Sequence, residues 1–200
     1  MAIPAKTIDE VLAELDRIID ETVASDNFLG IFAYVYRRTT AQVKQAILDK
    51  QFEDNIRMEE LDVAFANLYL TAYQQYSSGL HCSSSWLMAF EAKNKRITIM
   101  QHLLLGMNAH INLDLGIAAA KIAPGDSLPM LKADFMKVNQ LLSELVNEMQ
   151  GRVAKVSRLM FLLDWAGKNT DEVIVSFSMV KAREQSWNLA CVLAALPESE

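Results

Sequence analysis

Ile97-Thr98-Ile99-Met100-Gln101-His102-Leu103-Leu104-Leu105-Gly106-Met107-Asn108-Ala109-His110-Ile111-Asn112-Leu113 carries no acid, lysine or arginine, and Asp114 closes it. The run still holds two His, two Asn and one Gln. A helix lying on a protein surface shows one charged face, and this stretch has none. The pattern predicts a central helix over about 97–123 buried on all sides, its polar groups satisfied by neighbouring helices.

The rest of the chain fits a bundle around that helix. Two hundred residues, 52% of them hydrophobic, are enough for one domain with a real core, and no composition break divides them. Seven Gly, four Pro and short β-branched runs favour helices over strands. A net charge of −6 with no basic stripe argues against nucleic acid as a partner. Cys82 and Cys191 make no disulfide framework, so reduced thiols in a cytoplasmic protein are expected. The N-terminal residues lack the basic and apolar regions of a signal peptide, and the run at 97–113 is too short and too polar for a membrane span. The expected fold is all-α: a single-domain bundle, residues 1–200, of about seven to eight helices.

Taken in order, Thr7 and Glu10 form a capping box ahead of Ile8, Val11, Leu15 and Ile18 at helical spacing. A second helix is predicted from Ser25 or Asp26 to Arg37 or Arg38. A third, capped by Thr39 or Thr40, carries Val43, Ala46 and Ile47. The next, about Asn55 to Ser77, contains an anomaly: Asp62 falls in the apolar arc of Met58, Phe65, Tyr69 and Tyr73. A short helix from Trp86 to Lys95 follows the serine-rich loop. Beyond the break at Pro124-Gly125, periodicity runs from Leu131 through Val153, Val156, Leu159, Met160 and Leu163, as one helix or as two bent at Gly151. Gly167-Lys168-Asn169 ends it. The last helix holds a second anomaly, Arg183 among Met179, Val180, Trp187, Ala190 and Ala194.

On the central helix His102, Gly106, His110 and Asp114 follow at intervals of four, with Gln101, Asn108 and Asn112 on the other side. His102 and His110 lie roughly 12 Å apart along the axis, so they cannot share a metal. His110 and Asp114 can, and they can equally form a His–carboxylate pair that fixes a tautomer, for general base chemistry or for packing alone. Asn108 and Asn112, one turn apart, are expected to tie down the ends of neighbouring helices or their loops, and Gly106 to admit a backbone or ring at close range. Asp62 and Arg183 make sense as a buried ion pair, or as a triad with Asp114. There is no G-x-S-x-G, phosphate loop, H-E-x-x-H or E-x-x-H pair.

Leu104-Leu105-Gly106-Met107-Asn108-Ala109-His110-Ile111-Asn112-Leu113-Asp114-Leu115 resembles the hallmark of an uncharacterised, mostly bacterial family, a domain of unknown function. Leu61-Asp62, Phe65-Ala66, Tyr69-Leu70, Ser85-Trp86 and Ala182-Arg183 with Trp187 and Ala190 fit the same pattern. That resemblance implies a helical fold and marks Asp62, His110, Asp114 and Arg183 without naming a reaction. Gly106-x-x-x-His110-x-x-x-Asp114 is also similar to the central helix of zinc-dependent phospholipases C and single-strand nucleases. Their next ligand position is Ala120 here, and no His follows His110. A trinuclear zinc site is excluded on ligand count, which leaves at most one divalent metal, on His110 and Asp114 with help from Asp62.

Three functions are consistent with these residues. The first is an enzyme, a metal-assisted or His-based hydrolase, with His110 as base or ligand, Asp114 and Asp62 beside it and Arg183 holding an anion. The second is a small-molecule-binding protein whose pocket is lined by Tyr69, Tyr73, His102, Asn108, Asn112 and Trp187. The third is a non-catalytic protein with an architectural polar core.

Overall fold

A computed structural model of the chain describes residues 4–95, 97–156 and 170–196. It is all-α, with no strand among the described residues. Helices α1 (Ile8–Ala24), α2 (Leu29–Leu48), α3 (Asn55–Ser77) and α4 (Ser84–Glu91) lead to a central helix. That helix is built from α5 (Ile99–Ala109), a wide turn at His110–Asp114 and α6 (Leu115–Ile122). Then come α7 (Leu128–Val156) and α8 (Thr170–Ala194). The central helix touches α2, α3, α4, α7 and α8, so it is the hub that the sequence pattern predicts.

Local chemistry sets the boundaries. Thr7 accepts from the Glu10 amide at 3.2 Å, while the Glu10 carboxylate turns to the Lys6 amide at 2.6 Å, so half of the expected box forms. Asp54 caps α3 through the Arg57 amide at 3.0 Å. The predicted break at Thr39-Thr40 is absent, and α2 runs straight through it. The Thr39 hydroxyl bonds back to the Val35 carbonyl at 3.1 Å and Thr40 is buried, so both threonines are accommodated inside a helix. Helix α7 likewise continues through Gly151. The positions expected to extend it, Leu159, Met160 and Leu163, and the stop at Gly167-Lys168-Asn169 lie outside the described residues.

The central helix departs from expectation on one side. His102, Gly106, Ala109, His110 and Asp114 are buried, but Gln101, Leu104, Asn108 and Leu113 are exposed. Gln101 ties no helix to another; it completes a capping box, its amide 3.2 Å from the Thr98 hydroxyl and its side-chain oxygen 2.8 Å from the Thr98 amide. Asn112 donates to Asn108 Oδ1 at 2.6 Å, so the two amides bond to each other along the helix instead of pinning neighbouring helices. An uncharged face here reflects amide pairing, not full enclosure. By length and composition Gln101–Ile122 could cross a bilayer, but half of its apolar window is buried against the bundle, as a core helix requires.

Glycine governs two crossings of the central helix. A Cβ at Gly106 would stand 2.5 Å from the Phe32 ring, which confirms the close ring approach expected there. One at Gly116 would stand 2.8 Å from the Ser186 carbonyl of α8. A third tie, not anticipated, joins α7 to the start of α3. Buried Asp134 accepts from the Glu53 amide at 2.7 Å and the Asp54 amide at 3.0 Å, with the Arg57 guanidinium 3.6 Å away. Asp134→Ala strands two amide donors and is expected to cost about 2–4 kcal/mol. Urea unfolding measures it, and a loss below about 1 kcal/mol would contradict this role.

Candidate functional site

The wide turn in the central helix places the candidate site. At Leu115 the amide bonds to the His110 carbonyl, five residues back, so the chain admits one extra residue without ending the helix. Such turns recur at functional sites. His110 and Asp114 bracket this one, and both side chains face inward, 3% and 5% exposed.

Their geometry is that of a fixed dyad. His110 Nδ1 is 3.4 Å from Asp114 Oδ2, and the same oxygen accepts the Trp86 indole N–H at 2.7 Å. An acceptor beside Nδ1 assigns the proton to that nitrogen, which leaves the Nε2 lone pair bare. Nε2 is buried and has no hydrogen-bond partner. Burial pulls the imidazole below its usual pKa against the opposing pull of Asp114, so the ring is neutral at pH 7.

Aromatic rings wall the imidazole. Phe65 stacks on it with centroids 3.6 Å apart and planes 8° from parallel. Tyr36 meets it edge-on at 4.4 Å, with Trp86 at 5.7 Å, Phe32 at 5.8 Å and Tyr69 at 6.2 Å. Several polar atoms in and beside this wall are also buried without partners: the hydroxyls of Tyr36, Tyr69 and Thr40, and Asp62 Oδ2. Thr40 stands beside the Tyr36 hydroxyl without forming a well-aligned hydrogen bond. Asp62 and Asp114 both lie close enough to Tyr36 to reinforce the effect of burial in raising its pKa. Burial, aided by Glu59, pushes the Asp62 carboxyl up to about 7. Each unpaired buried polar atom costs about 1–3 kcal/mol, and so many together mark a place built to meet a ligand or water.

Other expected members lie elsewhere. Arg183 does not pair with Asp62 or Asp114, and no carboxylate among the described residues is within ion-pair distance of it. Its guanidinium donates to the Phe135 carbonyl and lies 4.4 Å over the Phe135 ring, and burial brings its pKa down to about 9. The buried ion pair is replaced by a backbone acceptor and a π-face. Trp187 belongs to that second cluster, 5.1 Å from Phe135. His102 stacks on Phe28 at 5.2 Å, and Tyr73 packs between Tyr69 and Phe90. Asn108 and Asn112 line a groove on the opposite side of the helix. Among the described residues no three His, Cys, Asp or Glu side chains are grouped to hold a metal. His110 and Asp114 offer two ligands of the four a structural zinc takes.

Sequence reading missed Trp86, Phe65, Tyr36 and Thr40 as parts of the centre. A usable signal was present on α2, where Phe32, Tyr36 and Thr40 recur every four residues and put two hydroxyls on one face.

The profile of a family of unknown function, DUF5995, matches residues 8–200. The chain belongs to that family. No curated protein and no solved structure matches it. Family membership therefore names no reaction, and the chemistry has to be argued from the side chains.

Asp62 carries a pH prediction. Its folded pKa of about 7 stands above the ordinary carboxyl value of 3.8, so the folded state holds its proton more tightly. Stability from this group is complete in acid and is lost as pH rises toward and through 7. Asp62→Asn keeps the shape and removes the charge. It is expected to match the wild type in Tm near pH 4 and to exceed it at pH 8 by several degrees, on the order of 3 kcal/mol. A difference independent of pH in thermal melts would contradict this assignment.

Proposed function

We propose that the chain is an enzyme, with His110 as a general base acting on a small, uncharged substrate. The observation carrying this reading is the bare, buried Nε2 of a neutral imidazole whose other nitrogen faces an anchored carboxyl. Asp114 orients the ring and favours the imidazolium once a proton arrives, while Trp86 keeps Asp114 in place. Asp62 and Tyr36 hold protons near neutral pH, because burial raises both, and they supply the donors that a developing anion needs. Hydrolysis fits this set, with Nε2 drawing a proton from the attacking water.

The dyad is favoured over a metal centre because no third His, Cys, Asp or Glu among the described residues groups with His110 and Asp114 to complete a ligand set. Size selection follows from the walls. A crevice of about 20 Å³ between Phe28, Phe32, Phe90, His102 and Gly106 has room for about one water, and it shares Phe32 and Tyr69 with the wall around His110.

The test compares wild type and His110→Gln in a fractionated cell metabolite extract, read by mass spectrometry. Wild type is expected to consume at least one compound at pH 6.5, where Asp62 holds its proton and the imidazole stays neutral, and His110→Gln to slow that loss by about 10²–10⁴-fold with its fold intact. Equal turnover by the variant, or no compound consumed by the wild type, would overturn the proposal.

A further inference from the structure

The open face of the central helix forms a second cavity on the side away from His110. It has a volume of about 580 Å³, within the roughly 300–1,000 Å³ of small-molecule sites. Its walls are Leu104, Leu105, Met107 and Ile111 from the central helix, with Met179 and Ala182 from α8. The described lining contains no aromatic ring. Flexible aliphatic side chains and two thioethers suit a chain of methylenes better than a flat ring, which usually stacks on an aromatic wall.

The polar lining is confined to a few groups. Asn112 Oδ1 is buried without a partner, while the Asn112 amide nitrogen is engaged by Asn108. Gln101 uses its side-chain oxygen in the capping box. Lys95 borders the cavity, is exposed, and has no carboxylate within ion-pair distance among the described residues. An apolar trough with the Lys95 cation beside it is complementary to an aliphatic tail carrying an anionic head.

We infer that this groove binds a medium- or long-chain fatty carboxylate, its alkyl chain along Leu104, Leu105, Met107 and Ile111 and its carboxylate at Lys95. The site is independent of the proposed chemistry at His110, because it lies on the opposite face of the helix and shares no lining residue with the aromatic wall. Leu104 is the informative position. It lines the groove yet is 40% exposed, so a change there leaves the core packed.

Titration calorimetry with dodecanoate, below its micellisation limit, tests the assignment on the full chain. One molecule is expected to bind per chain. Leu104→Glu should weaken binding at least about ten-fold, since it sets a carboxylate in the path of the alkyl chain, with the helical circular dichroism unchanged. Lys95→Glu should weaken dodecanoate about five-fold, as expected for an exposed charge pair. Dodecyltrimethylammonium should bind the wild type more weakly than dodecanoate does. If Leu104→Glu does not fold, Leu104→Gln replaces it, with the same loss in direction. No saturable binding of dodecanoate, wild-type affinity in the folded Leu104 variant, or equal affinity for the cationic amphiphile would overturn the inference. None of these outcomes bears on turnover at His110.

Discussion

One oxygen of Asp114 receives both the indole N–H of Trp86 and the imidazole of His110, and most of the interior is arranged around that meeting. The contact spans two elements, because Trp86 comes from α4 and both acidic and imidazole groups from the central helix. A regular helical turn would carry the chain past this point. The five-residue turn at His110–Asp114 instead widens the helix locally and keeps both side chains turned inward. Gly106, one turn earlier, lets Phe32 in against the helix and so closes the wall around the imidazole.

A cluster of titratable groups can be this deeply buried because most of them stay uncharged. The imidazole is held neutral, Asp62 keeps its proton up to about 7, and the tyrosine hydroxyls are pushed further from ionising. Desolvation dominates each shift, and it acts in the direction that removes charge. Arg183 handles the same problem differently. Its cation is spread over a carbonyl and the Phe135 ring, in a separate cluster with Trp187. Arg183 thus sits in a centre separate from that of His110 and Asp114, where the sequence suggested one shared centre.

Helical periodicity made the fold class, the hub role of the central helix, the bounds of α3 and the burial of Asp62, His110, Asp114 and Arg183 legible. Those properties depend on which residues share a face, and spacing reports that directly. Which buried groups meet was not legible, since it depends on how helices distant in sequence are rotated about their axes. Asp62 and Arg183 look like natural partners by charge, yet α3 turns one toward Tyr36 and α8 turns the other toward the Phe135 carbonyl. The wide turn was invisible for a related reason: no residue type demands it, and it arises from packing. Gln101 and the Asn108–Asn112 pair misled because an uncharged polar residue reads alike whether buried or exposed, and here they cap a helix and bond to each other.

The protonation state of His110 tests the account most directly. Long-range proton–nitrogen correlation spectra of the imidazole at pH 7 identify which nitrogen bears the hydrogen. The account predicts a neutral ring protonated at Nδ1, with a bare Nε2, that takes up a second proton only below the ordinary histidine range. A ring protonated at Nε2, or an imidazolium at pH 7, would contradict it.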